Sequence, residues 1–133
     1  MLRLPRALYA EVVVHCQRQY PKEACGILAG SGERVSQVYS MRNVEDSPIG
    51  YAMDPTEQFQ LEKTMRQRNQ RMIGIYHSHT ATDAYPSPVD VSLAISPDIS
   101  YVLVSLAHQA KPVIKSYRIV DGTITKEDVR VEG

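Results

Sequence analysis

Between Pro5 and Tyr20 the apolar positions Leu8, Val12, Cys16 and Tyr20 recur every fourth residue, and Val13 widens the stripe. That period belongs to an amphipathic helix, with Pro5 near its first turn and Pro21 as its stop. The pattern then changes. "ACGILAGSG" (24–32) is a short apolar run closed by glycines, and "RVSQVYSM" (34–41) alternates apolar and polar residues, so the two predict a strand pair joined at Ser31-Gly32. A second helix follows in "DPTEQFQLEKTMRQRNQ" (54–70), where Asp54 is the expected N-cap, Pro55 the first helical residue and Glu57 the third-position partner of a capping box. Phe59, Leu61 and Met65 are its apolar residues. "RMIGIYHSH" (71–79) reads as a strand and "SPVDVSLAI" (87–95) as a short helix. "YVLVSLA", "VIKSYRIV" and "TITKEDVRV" read as three closing strands, with Asp121-Gly122 as a hairpin turn between the last two. Strands and helices interleave without repeat, low-complexity tract or long linker, which predicts one domain over 1–133 of the α/β class, a mixed β-sheet sandwiched by helices.

Composition narrows the function classes. The chain has 133 residues, enough for one core, and its 15 basic and 15 acidic residues cancel. No overall field favours nucleic acid or an anionic membrane as partner. No apolar run reaches the ~18 residues of a bilayer span, and Pro5 and Glu11 interrupt any secretory signal. The two cysteines, Cys16 and Cys25, form no C-x-x-C pair and no disulfide framework. A cytoplasmic protein is expected.

The concentrated chemistry lies in "YHSHTATDAYPSPVD" (76–90). On a strand, His77 and His79 project from one face and Ser78 from the other, so both imidazoles can reach one ion. A strand that ends in a hydrogen-bonded histidine gives the same two letters. Ser87, Pro88 and Asp90 make an ordinary helix start, with a carboxylate near the positive helix end. The same start also carries Asp90 to the beginning of a helix directly after the histidine strand, where its carboxylate can complete a three-ligand set. Two imidazoles and one carboxylate leave zinc an open place for water, the catalytic pattern of ligation. Such a site needs a base to take the water's proton and hand it to the leaving amine. Composition leaves that base open among Glu23, Glu45, Asp46, Glu57 and Asp83.

Glu23 at the start of the first strand of the pair, then His77-x-His79, seven residues and Ser87-x-x-Asp90, resembles the motif of the JAMM (MPN-plus, Mov34-like) metalloproteases, and "YPKEACGILAG" resembles the segment that carries the family's glutamate. The resemblance covers nearly the whole chain and implies the MPN/JAMM, cytidine-deaminase-like fold. It implies one zinc per chain on His77, His79 and Asp90, with Glu23 as general base and Ser87 as hydrogen-bond donor to the developing oxyanion. "IYHSHTATDAYPSPVDVSLA", "YVLVS" and "SYRIVDGTIT" are similar to members of cysteine biosynthesis. Those members imply hydrolysis of the amide between the C-terminal glycine of a small ubiquitin-like sulfur carrier and the cysteine built on it. Two alternatives accompany this expectation: general trimming of ubiquitin-like carrier C-termini, and a non-catalytic interaction module.

Outside the motif, Cys25 is expected to be buried, or else to approach the metal. Asp83 and Tyr85 lie in the loop between ligands, where they would meet solvent or the substrate's cysteine end. His15 and His108 have no ligand partner at a useful spacing, and "RQRNQR" (66–71) is a basic helix end able to steer an acidic carrier.

Overall fold

The computed structural model describes residues 1–45, 50–94 and 96–133. The elements run β1 (Leu2–Pro5), α1 (Arg6–Gln19), β2 (Cys25–Ser31), β3 (Arg34–Met41), α2 (Pro55–Gln67), β4 (Arg71–His79), α3 (Pro88–Leu93), β5 (Ser100–Ser105), β6 (Val113–Val120), β7 (Thr123–Glu127) and β8 (Val129–Glu132). The expected mixed sheet is present. Eight strands lie in the order β7-β6-β5-β4-β2-β3-β1-β8, with β4–β5, β1–β3 and β1–β8 parallel and the other pairs antiparallel.

Strand alternation sorts the core. Leu28, Tyr76, Val102 and Val104 face α1, whose Val12 and Cys16 are buried against them. The opposite face carries Cys25, Ile27 and Ala29 under Met65 of α2, and Tyr101, Leu103, Tyr117 and Ile119 toward Val91 of α3. The sheet is thus sandwiched as expected, and the neighbouring residues of β4 show how a period of two serves both sides. Gly26 is required beneath Tyr76, since a Cβ there would lie 2.1 Å from the ring.

Several local expectations change. Leu2–Pro5 is a strand that the helical reading of the N-terminus passed over, because four residues are too few to show a period. The β2–β3 loop is Gly32-Glu33, one residue beyond the predicted turn, with Gly32 at φ 60° and Ser31 paired to Arg34. Asp54 caps α2 by accepting from the Thr56 N–H (2.9 Å), but no capping box closes, because Glu57 instead accepts from the Arg42 N–H (3.1 Å). Phe59 of that helix points outward and is 59% exposed. The predicted last strand is two: it pairs with β6 as far as Glu127, then changes partner beyond Asp128 and runs parallel to β1. One extended segment therefore touches both ends of the strand order and curls the sheet. Glu127 secures that junction, accepting from Ser100, Ser116 (2.7 Å) and Arg118 (3.1 Å) and lying 3.7 Å from the N-terminal ammonium. The Asp121-Gly122 turn is as expected, both residues having positive φ (49° and 79°). The end of the short-helix reading, Ile95, lies outside the described residues, as does Asp46 among the candidate bases. No helix among the described residues is long and apolar enough to cross a membrane.

Candidate metal centre

β4 is a central strand, held antiparallel to β2 and parallel to β5, and its last residues carry the site. His77 and His79 emerge on the face covered by α2 and α3, both buried. Ser78 turns the other way. Its Oγ accepts from the Ala24 N–H (2.8 Å) while its own N–H donates to the Ala24 carbonyl (3.0 Å), tying the histidine strand to the residue after Glu23.

The loop from Thr80 to Pro86 brings the chain back over this face. Ser105 Oγ donates to the Thr82 carbonyl (2.6 Å) and Tyr117 Oη to the Ala84 carbonyl (2.5 Å), so two strand side chains hold the loop down. α3 then starts with a complete capping box: Ser87 Oγ accepts from the Asp90 N–H (3.1 Å), and Asp90 Oδ2 accepts from the Ser87 N–H (2.8 Å). Asp90 faces the histidines as well. Its Oδ1 lies 3.2 Å from His77 Nε2 and its Oδ2 3.0 Å from His79 Nε2, and the two Nε2 atoms are 3.2 Å apart. Capping and convergence on the histidines coexist in one carboxylate.

His79 Nδ1 is 2.9 Å from the Asp83 carbonyl, which accepts its proton and leaves Nε2 turned inward. This second contact is the usual support of a metal-bound imidazole. The His77 ring stacks on Tyr51, centroids 4.5 Å apart. Burial holds His77 below its ordinary pKa despite Asp90. Burial acts in the same direction on His79, but the hydrogen bonds to Asp90 and the Asp83 carbonyl outweigh it and the net shift is upward. Burial opposes ionisation of Asp90, yet hydrogen bonds from His77, His79 and the Ser87 N–H hold its carboxyl well below the usual range. The cluster is thus one anion facing two imidazoles.

The donor set fits a divalent cation. Two imidazole nitrogens and a carboxylate oxygen are ligand types such an ion takes, and one ligand atom from each of the three residues lies within 4.8 Å of the others. His77, His79 and Asp90 form the group among the described residues whose ligand atoms converge in this way.

Of the candidate bases, Glu23 is buried, 6% exposed, in the connection between α1 and β2. Burial pushes its carboxyl up to about 7, against the attraction of His79 and helped by Asp90 and Glu45. Glu45 and Asp83 are exposed, and Glu57 is engaged with the Arg42 N–H. Cys25 is buried on the site's face as the Cα partner of His77, and burial raises its thiol to about 12. His15 pairs with Tyr76 Oη (2.6 Å) on the far face, and His108 is exposed. The basic helix end is partly engaged, with Arg68 donating to Gln37 Oε1 (3.0 Å) and Tyr39 Oη (3.2 Å).

Two supporting residues escaped the sequence reading. Tyr51 flanks His77, and Asn43 donates to the Glu23 carbonyl (2.9 Å) and the Gly50 carbonyl (3.0 Å) while accepting from the Glu45 and Ala52 N–H groups (3.0 Å each). Neither residue belongs to a spaced motif, and only the folded loop brings it to the site.

The profile of prokaryotic homologs of the JAB domain matches residues 5–120. The CysO-cysteine peptidase of Mycobacterium tuberculosis is 46% identical over 122 residues, 90% of this chain and 84% of that protein. A probable TtuB-protein conjugate cleaving protease of Thermus thermophilus is 37% identical over 95 residues, 71% of this chain and 64% of that protein. The solution structure of a Desulfitobacterium hafniense protein superposes with a TM-score of 0.90 at 38% identity, covering 99% of this chain and 93% of that one.

Proposed function

The chain belongs to the family of prokaryotic JAB-domain homologs, and on that premise we propose that it is a zinc-dependent peptidase. Its reaction is cleavage of the amide after the C-terminal glycine of a small ubiquitin-like sulfur carrier, with release of L-cysteine. The observation that carries the reading is the convergence of His77 Nε2, His79 Nε2 and the Asp90 carboxylate, with a buried Glu23 electrostatically coupled to them. The 46% identical relative is named for a peptidase reaction on a carrier–cysteine conjugate.

His77, His79 and Asp90 are the metal ligands in this reading. A bound zinc ion supplies Lewis acidity and brings the pKa of a coordinated water toward neutrality. Glu23 would take a proton from the attacking water and deliver it to the leaving amine, the water oxygen joining the glycine carbonyl carbon as the C–N bond breaks. Ser87 Oγ already accepts from the Asp90 N–H, so its own proton is the one to donate to the oxyanion. A di-glycine tail, having no side chains, is thin enough to bind as an extended strand in a narrow groove.

Incubation of the zinc-loaded protein with a carrier ending in Gly-Gly-Cys, followed by intact mass, tests the reading. Loss of one cysteine is expected, and no loss with Glu23→Gln or after chelation, together with about one zinc per chain by elemental analysis. Equal trimming of every extension would replace cysteine release by general conjugate cleavage, the reading favoured by the Thermus relative's name. No cleavage and no bound metal would leave a non-catalytic module.

A further inference from the structure

Beside the metal centre opens a cleft of about 460 Å³, whose wall includes Asp83, Tyr85, His108, Lys111, Lys115 and Tyr117. Its place relative to the site follows from the sheet register. Lys115 of β6 is the Cα partner of Leu103 on β5, and Leu103 is the partner of His77 on β4. Partners across a sheet share a face, so Lys115 stands on the metal-bearing face two strands from His77, about 10 Å away at ~4.8 Å per strand. Lys111 comes from the β5–β6 turn, whose backbone is closed by its N–H on the His108 carbonyl (2.9 Å).

The cleft is polarised. Asp83 marks the end next to the metal centre, since its carbonyl holds His79 Nδ1. The two lysines lie on the β5–β6 side, and among the described residues neither forms an ion pair. In a molecule whose formal charges cancel, two ammonium groups without an ion pair outweigh the one Asp83 carboxylate in the same lining and make a local attraction for an anion on the β5–β6 side. Tyr85 and Tyr117, packed edge to face with centroids 5.6 Å apart, form an aromatic wall that limits its width.

Cleavage of an amide whose last residue is a single amino acid makes a zwitterion: the amine forms at the scissile bond beside His77, His79 and Asp90, and the carboxylate lies one Cα beyond it. We infer that the cleft carrying Lys111 and Lys115 binds the α-carboxylate of the one amino acid that follows the scissile amide, making a free C-terminus at that position a requirement of efficient cleavage. The inference rests on the peptidase reading above and adds what that reading leaves open: how the leaving residue is recognised.

The test uses two substrates, a carrier ending in Gly-Gly-Cys with a free carboxylate and the same carrier as its C-terminal carboxamide. Wild type is expected to favour the acid by about tenfold or more in kcat/KM, mostly through KM, the scale of one charge-assisted hydrogen bond. The double variant Lys111→Met, Lys115→Met is expected to lose the preference, leaving cleavage of the carboxamide, zinc content and Tm unchanged. Lys115→Arg in the Lys111→Met background is expected to restore part of it. Equal rates on acid and carboxamide, or a preference that survives in the double variant, overturn the carboxylate site while the peptidase reading stands. Failure of wild type on both substrates overturns that reading and this inference with it.

Discussion

Glu23 is a buried carboxyl whose folded pKa of about 7 lies above its ordinary 4.5, and this makes a stability prediction that runs against the usual effect of a mutation. A group with a raised folded pKa contributes fully below its unfolded value, and that contribution is lost as pH rises through its folded value. Glu23 is therefore neutral and harmless near pH 4.5, whereas above pH 7 the fold must hold it charged. The difference between 4.5 and about 7, at 1.36 kcal/mol for each tenfold change, puts the cost at about 3 kcal/mol, good to about 1 kcal/mol. Glu23→Gln keeps the shape and removes the charge. In chelator, the variant should match wild type near pH 4.5 and exceed it by about 2–4 kcal/mol at pH 8.5, a Tm gain of roughly 3–4 °C per kcal/mol for a chain of this size. Thermal unfolding of both proteins from pH 4.5 to 8.5 measures it. Zinc should narrow the gap, because a nearby cation favours the carboxylate. The same variant should lose activity by about 100-fold or more. A Gln variant that is less stable at every pH, or a difference that does not grow with pH, would refute the claim that Glu23 is held ionised at a cost near the metal centre.

Two further outcomes follow from the packing around that residue. Ser78→Ala removes the acceptor of the buried Ala24 N–H, so a loss of about 1–3 kcal/mol is expected in chemical denaturation. Because Ala24 follows Glu23, kcat should fall while the zinc content stays at wild-type level; an unchanged kcat would show that this bond does not position Glu23. Gly26→Ala drives a Cβ into the Tyr76 ring, with an expected cost of about 1–3 kcal/mol or more and displacement of Tyr76 Oη from His15 Nδ1, visible as an altered His15 NMR titration; a variant as stable as wild type would contradict the close packing described at β2.

The sequence by itself determined the parts of this protein that depend on neighbours along the chain. Alternation in 71–79 assigns the two histidines to one face and Ser78 to the other. The Ser87-Pro88-x-Asp90 start specifies its own capping box, and Asp121-Gly122 its own turn. Where one partner lay farther off, the same reasoning fell short: Asp54 and Glu57 look like a capping box, but the N–H of Arg42, just after β3, takes the Glu57 carboxylate. β1 has too few residues to carry a period, and the change of partner at Asp128 is invisible in a run that stays extended throughout. The spacing of the histidines and Asp90 suggested a ligand set, but their convergence needs the loop anchors from Ser105 and Tyr117, more than 20 residues downstream. Composition left five acidic candidates open, and only the resemblance of "YPKEACGILAG" singled out Glu23. Among the four described candidates, burial of its carboxyl beside Asp90 and His79 sets Glu23 apart, and burial belongs to the assembled sheet, because desolvation of a carboxyl is created by residues that meet only when distant strands pair.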